Sequence, residues 1–387
     1  MTDLAKALHD FSPVAAAPIP VEEMRLRLDG LRRQMVQQGV DAVWLDATTS
    51  LRYFTGLSIG QSERLHGALL GADGVLRYIS PAFECQTLAA SIRIPAQIIP
   101  WDEDEDPCAL VAGLVEGVFA VDPSTPFRFA DGIARHLKGH LRSAHSLISP
   151  LRQCKSATEI AILQAAMDAS YRVHKAVYAG LRPGIAAAEV ADFITAAHVA
   201  LGLKPLFAAV QFGEATAYPH GVPGEQILSP GDMVLVDMGG TLQGYGSDIT
   251  RSYVFGPPSP RQRQLWSVEQ RAQAAGFAAA RLGATCASVD AAARQVITEA
   301  GFGPGYQLPG LPHRTGHGLG LDGHEEPYIV AGNETPLEPG MCFSIEPMLC
   351  VYGECGIRLE DIAYMTDAGP RWFTSPATSL DAPFGEV

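Results

Sequence analysis

The sequence contains no run approaching the ~20 consecutive apolar residues that a bilayer-spanning helix requires, which argues against a membrane protein. Its first residues, Met1-Thr-Asp-Leu-Ala-Lys6, lack a basic start followed by an apolar block, and Ala15-Ala-Ala-Pro18 is too short to be one. Positive charge is scarce. Lys and Arg number 28 against 42 Asp and Glu, a formal charge of −14, which disfavours nucleic acid or an anionic membrane surface as main partner. The seven cysteines are scattered with no Cys-x-x-Cys; the nearest pair, Cys350 and Cys355, reads as ordinary reduced thiols. Residues 1–150 hold no glycine-rich phosphate loop. A chain 47% apolar and only 18% charged is globular rather than disordered. The expectation is a soluble cytoplasmic protein.

What is present divides near Ser149-Pro150. Residues 1 to about 20 are Ala/Pro-rich, ordered only by docking. Helical spacing of Met24, Leu26, Leu28, Leu31 and Met35 stops at Gly39, and Ala42 to Leu45 reads as a strand. Leu51-Arg-Tyr-Phe-Thr-Gly-Leu57 reads as a loop or short element, and Gly71-Ala-Asp-Gly74 signals a hairpin. Residues 1–150 are therefore expected to form one α/β domain and residues 151–387 a second. Ser156-Ala-Thr-Glu159 is a capping box opening a helix, and a second helix runs from Ala186 to Leu201. After a strand-rich stretch, Ser259-Pro260 opens another helix and a fourth begins near Ser288. The repeat of two helices followed by acid-bearing strands points to an internal pseudo-two-fold duplication.

The acids are Asp237, Asp248, Glu346 and Glu360, each in a short apolar run that reads as a strand. A carboxylate buried in a sheet costs several kcal/mol unless something pairs with it. Four together repel one another and must protonate or find cations. Two divalent cations would cancel the four charges, and one imidazole would complete an oxygen-rich shell suited to Mn²⁺, Zn²⁺, Co²⁺ or Fe²⁺, manganese foremost. Three histidines, His313, His317 and His324, crowd one stretch. Glycines 316, 318, 320 and 323 make a helix there improbable and imply a flexible backbone bringing imidazoles to a ligand. The other histidines, His174 and His198 among them, read as core or surface residues. His220, 237 − 220 = 17 positions before Asp237, reads equally as a turn or a site residue.

Five motifs occur in order: Val236-Asp-Met-Gly-Gly with Tyr245-Gly-Ser-Asp-Ile-Thr-Arg251, His313-Arg-Thr-Gly-His-Gly-Leu-Gly-Leu321, His324-Glu-Glu-Pro-Tyr328, Ser344-Ile-Glu-Pro347 and Gly356-Ile-Arg-Leu-Glu-Asp361. Over about residues 150–370 the chain resembles the proline-specific branch of the pita-bread metallopeptidases, which includes Xaa-Pro dipeptidase (prolidase) and aminopeptidase P. The resemblance implies an α/β (α+β) fold, a creatinase-like N-terminal domain followed by a pita-bread catalytic domain, and a homodimer. It implies two divalent ions, with Asp237 on one, His317 and Glu346 on the other, and Asp248 and Glu360 bridging. A metal-bridging hydroxide would attack the scissile carbonyl of an Xaa-Pro peptide. His324 would stabilise the oxyanion, Glu346 relay the proton, His220 or His313 fix the proline end, and Arg358, two residues before Glu360 on one strand face, orient the site.

Relatives carry Thr-Ile-Glu-Pro-Gly where this chain has Ser344-Ile-Glu-Pro-Met348, a departure that bears on pocket shape and touches no ligand. A dipeptidase needs a cation for the substrate's free carboxylate; Arg314, Arg371 and a partner subunit's Arg52 are the candidates. The rival readings are an aminopeptidase P on longer Xaa-Pro peptides, a metal-dependent hydrolase or lyase on other small molecules, and an inactive interaction module. The last is disfavoured because such relatives lose ligands and all five are present.

Overall fold

The computed structural model describes residues 3–385. These fall into two compact units, one from Ile19 to Arg152, the other joining Met1–Pro18 to Gln153–Val387. The Ala/Pro-rich beginning thus belongs with the second unit. It carries a short helix, Asp3–Ala7. A Cβ on Gly180 would fall 2.2 Å from Leu4, so the bare glycine makes room for it, and the Val14 amide donates to the Leu201 carbonyl at 2.9 Å.

The first unit is a six-stranded mixed sheet, ordered Gln97–Trp101, Leu76–Pro81, Gly67–Gly71, Ala42–Asp46, Gly117–Val121, Gly139–Ser143. Trp44, Phe119, Val111 and Ile133 form its core. The helix Val21–Gln38 ends where Gly39 takes φ +64°, a conformation glycine adopts without steric cost. Leu51 to Thr55 lie in a helix, Thr49–Thr55, which Thr48 caps by accepting from the Ser50 amide.

The second unit repeats one plan. The helices Ala157–Gly180 and Ala187–Ala200 precede an antiparallel sheet of Lys204–Phe212, Met233–Leu242 and Ile249–Val254. The helices Pro260–Ala279 and Cys286–Glu299 precede a five-stranded sheet ordered Glu325–Ile329, Gly316–Gly318, Cys342–Ile345, Asp361–Thr366, Gly369–Trp372. Both first helices open with a capping box, Ser156 with Glu159 as its sequence predicts, and Ser259 with Gln262 at the helix start expected from Ser259-Pro260. The halves meet where Thr250 bridges Glu360 and where Ser252 exchanges hydrogen bonds with the Arg358 main chain. Among the described residues no helix is long and apolar enough to cross a membrane.

Candidate metal centre

Only Asp237 sits within a strand. Asp248 immediately precedes Ile249–Val254, Glu346 follows Cys342–Ile345, and Glu360 lies between Cys355–Arg358 and Asp361–Thr366. The expectation of four strand-borne acids is corrected: three stand at breaks in the ladders, where the chain turns its side chains toward the seam between the halves. Arg358 ends its strand, so strand alternation does not account for its position relative to Glu360.

His317 is the middle residue of the strand Gly316–Gly318. A Cβ on Gly316 would lie 2.0 Å from the Ser344 carbonyl oxygen, and one on Gly318 2.4 Å from that of Glu326. These glycines serve close strand packing, not the flexibility their number implied. His317 Nδ1 lies 3.0 Å from the Gly318 carbonyl oxygen. A carbonyl only accepts, so Nδ1 carries the proton and Nε2 faces the acids. Nε2 is 3.0 Å from Glu346 Oε1, 3.7 Å from Asp248 Oδ2 and 4.0 Å from Glu360 Oε1.

The structure gathers all five residues. Single donor atoms of Asp237, Asp248 and Glu360 lie within 4.8 Å of one another, as do those of His317, Glu346 and Glu360 and those of Asp248, His317 and His324. On the protein's own charges the cluster is strained. Burial, then repulsion by Asp237, holds Asp248 well above the ordinary carboxylate range; burial, then Asp248, does the same to Glu360. Burial also raises Asp237, against the pull of Arg358. Burial opposes charge on both Glu346 and His317, but their attraction outweighs it, bringing Glu346 down to about 2 and His317 up to about 9.

Two buried oxygens, Asp237 Oδ1 and Glu360 Oε1, have no hydrogen-bond donor. Their partners in the same carboxyl groups are engaged: Asp237 Oδ2 by Arg358 Nη2 at 2.5 Å and Glu360 Oε2 by Thr250 Oγ1 at 2.5 Å. Bare buried oxygens beside an imidazole nitrogen freed by tautomer form a hard, oxygen-rich donor set, which fits divalent cations.

Residues to which the sequence assigned no positioning role hold this set in place. Arg251 and Asp361, both fully buried, pair at 2.7 Å, and Arg251 Nη1 also holds the Glu360 carbonyl at 2.8 Å. Ser344 Oγ accepts from the His317 amide at 2.9 Å and donates to Glu346 Oε1 at 3.1 Å, so serine here supplies the hydroxyl. Asp290 accepts from the Thr315 amide and hydroxyl, and the Thr315 carbonyl accepts from the Glu346 amide. Met348 places its sulfur 3.5 Å from Arg358 Nη1. Arg251, Thr315, Ser344 and Asp361 lie inside the sequence motifs and Met348 borders one, whereas Asp290 carried no sequence signal.

The remaining histidines surround the acids. His324 stacks on His317, ring centroids 3.8 Å apart, and burial with the His317 charge lowers it to about 4. His313 is lowered by burial, and its Nδ1 lies 2.7 Å from the Arg314 carbonyl. His220 is exposed, and the charge of Arg314 acts on His324. The Arg314 guanidinium rests 4.4 Å over the Tyr328 ring. Arg371 lies on the outer strand Gly369–Trp372, two strands from Cys342–Ile345.

The family model for metallopeptidase family M24 matches residues 161–367, and that for the creatinase/prolidase N-terminal domain matches 27–154. A probable dipeptidase PepE of Mycobacterium tuberculosis is 40% identical over 326 residues, covering 82% of this chain and 86% of that protein. An Xaa-Pro dipeptidase of Lactobacillus helveticus is 31% identical over 361 residues, covering 90% and 96%. The crystal structure of dipeptidase PepE from Mycobacterium ulcerans superposes with a TM-score of 0.87 at 38% identity, covering 93% of this chain and 97% of that one.

Proposed function

The chain belongs to metallopeptidase family M24, a creatinase-type N-terminal domain ahead of a pita-bread domain, and we propose that it is an Xaa-Pro dipeptidase working with two divalent ions, manganese foremost. The observation that carries this reading is the pair of donorless buried oxygens, Asp237 Oδ1 and Glu360 Oε1, in a cluster of four acids with one imidazole. In this reading Asp237 would hold one ion and His317 and Glu346 the other, with Asp248 and Glu360 also supplying oxygens. Residues 151–387 carry the chemistry, and the protein works as a homodimer.

Such ions, when bound, bring a water's pKa toward neutrality and polarise a substrate carbonyl. The chain's own residues do the rest. His317 presents Nε2 because its Nδ1 proton is committed to Gly318. Glu346, fixed by Ser344 and by the Thr315 carbonyl, is the acid that accepts and relays the proton. His324, kept neutral near neutral pH chiefly by burial, donates a hydrogen bond to the developing oxyanion without surrendering its proton. His313 spends its Nδ1 proton on Arg314 and offers Nε2 only as an acceptor. The proline end therefore falls to donors: His220, and Arg314 for the free carboxylate. An Xaa-Pro amide has no N–H, so the site needs no acceptor at that nitrogen.

The test is metal analysis with a panel of Gly-Pro, Ala-Pro and Xaa-Pro-Yaa. Cleavage of dipeptides alone supports the proposal; cleavage of tripeptides assigns an aminopeptidase P. Bound metal without peptide cleavage assigns another small-molecule enzyme, and absence of metal uptake returns the chain to an interaction role.

A further inference from the structure

His174, read from the sequence as an ordinary core or surface histidine, is fully buried in the first helix of the first half, Ala157–Gly180. Its Nε2 lies 2.9 Å from the carbonyl oxygen of Ile249, the residue after Asp248. The carbonyl can only accept, so Nε2 carries the proton; Nδ1 is buried without a partner. Gln273 occupies the first helix of the second half, Pro260–Ala279, and is 2% exposed. Its Nε2 donates to the carbonyl of Ile345, the residue before Glu346, at 3.3 Å, and to Asp361 Oδ2, the residue after Glu360, at 3.1 Å. Each half thus aims one side-chain N–H from its leading helix at the main chain beside an acid of the cluster.

The first half adds a second restraint. Ser170, one turn before His174, lies 2.7 Å from Ser247 Oγ, and Ser247 precedes Asp248. Ser247 gives its single hydroxyl proton to the Gly240 carbonyl at 3.0 Å, so Ser170 donates to Ser247, and His198 Nε2, at 2.8 Å, donates to Ser170. Asp248 is therefore held on both sides from one helix face. This matters because the acids repel one another, and a repelling set keeps its spacing only if its backbone cannot yield.

We propose that His174 and Gln273 are paired positioning residues of the metal centre, each fixing the main chain next to ligand carboxylates so that the acids stand at the spacing two ions need. Neither touches a ligand side chain. The proposal rests on the ligand set given under Proposed function.

Calorimetric titration of manganese into chelator-stripped protein tests it, with folding checked by circular dichroism. His174→Met and Gln273→Met should bind manganese about 10–100-fold more weakly, the range typical of lost outer partners. His174→Gln keeps an N–H near the Nε2 position, the choice the second half already makes, and should stay within about threefold of wild type. Ser170→Ala, which removes one hydroxyl and no bulk, should also weaken binding; it and Gln273→Met decide the matter if His174→Met does not fold. Wild-type affinity in the folded Met and Ala variants overturns the proposal. So does an equal loss in His174→Gln and His174→Met, which would make packing the cause. Asp248→Asn separates the two readings: if it binds manganese like wild type, the ligand set itself is wrong.

Discussion

Arg358 Nη2 donates to Asp237 Oδ2 at 2.5 Å across the seam between the two halves, while its Nη1 holds the Pro219 carbonyl at 3.2 Å. One guanidinium thus neutralises a strand acid from the first half and ties down the loop that carries His220. Burial opposes its charge, and the attraction of Asp237, with the other acids, more than restores it.

Removing that cation from a buried pair should cost about 3–5 kcal/mol. Arg358→Met is expected to lower the melting temperature of stripped protein and to enlarge the rise produced by manganese, because the acid cluster has lost its resident positive charge. Turnover should fall as the His220 loop loosens. Thermal unfolding with and without manganese reads this directly; an unchanged melting temperature in both conditions rejects it.

His317→Ala and Glu346→Ala should each abolish turnover and reduce metal content, with the fold retained. Elemental analysis and circular dichroism are the measurements. Near-wild-type rates in either variant would show that the ligand assignment is wrong.

Arg314→Ala should raise KM for Xaa-Pro dipeptides with little change in kcat, by about 10–100-fold if one charge-assisted hydrogen bond of about 1.5–3 kcal/mol is lost. Dipeptide amides, which lack the carboxylate, should be indifferent to the substitution. Equal effects on acid and amide would remove Arg314 from carboxylate recognition.

His174 and His198 are held down to about 3 and about 4, chiefly by burial. The folded protein keeps both neutral, whereas the unfolded chain takes up protons below about pH 6.5. The sign follows: their contribution is intact above pH 6.5 and is lost as pH falls toward 4. His174→Gln has no proton to gain, so its unfolding free energy relative to wild type should improve by about 1.4 kcal/mol per pH unit between pH 6 and 4. Urea denaturation across that range measures the difference; parallel curves would contradict it.

The capping box at Ser156, the helix start at Ser259-Pro260, the αL stop at Gly39 and the turn Gly71–Gly74 were legible because each is a local agreement among a few neighbouring residues. The helix Thr49–Thr55 was not, since it is short and its aromatic residues carry no helical preference. The glycines around His317 were misread for a related reason: what they accommodate is another strand's backbone, from Ser344 and Glu326, which their own stretch does not display.

The order and kind of the acids, the single imidazole and the surplus of negative charge are written along the chain, and from them follows the need for cations. Which oxygens stand bare, which nitrogen of His317 is free and why His174 is buried at all were decided only on folding. Each depends on hydrogen bonds between groups that the chain keeps apart or on the direction a backbone carbonyl takes, as with Ile249 over His174, Thr250 over Glu360 and Gly318 over its neighbouring ring. Side-chain letters specify the charges; the path of the main chain specifies where those charges can be satisfied.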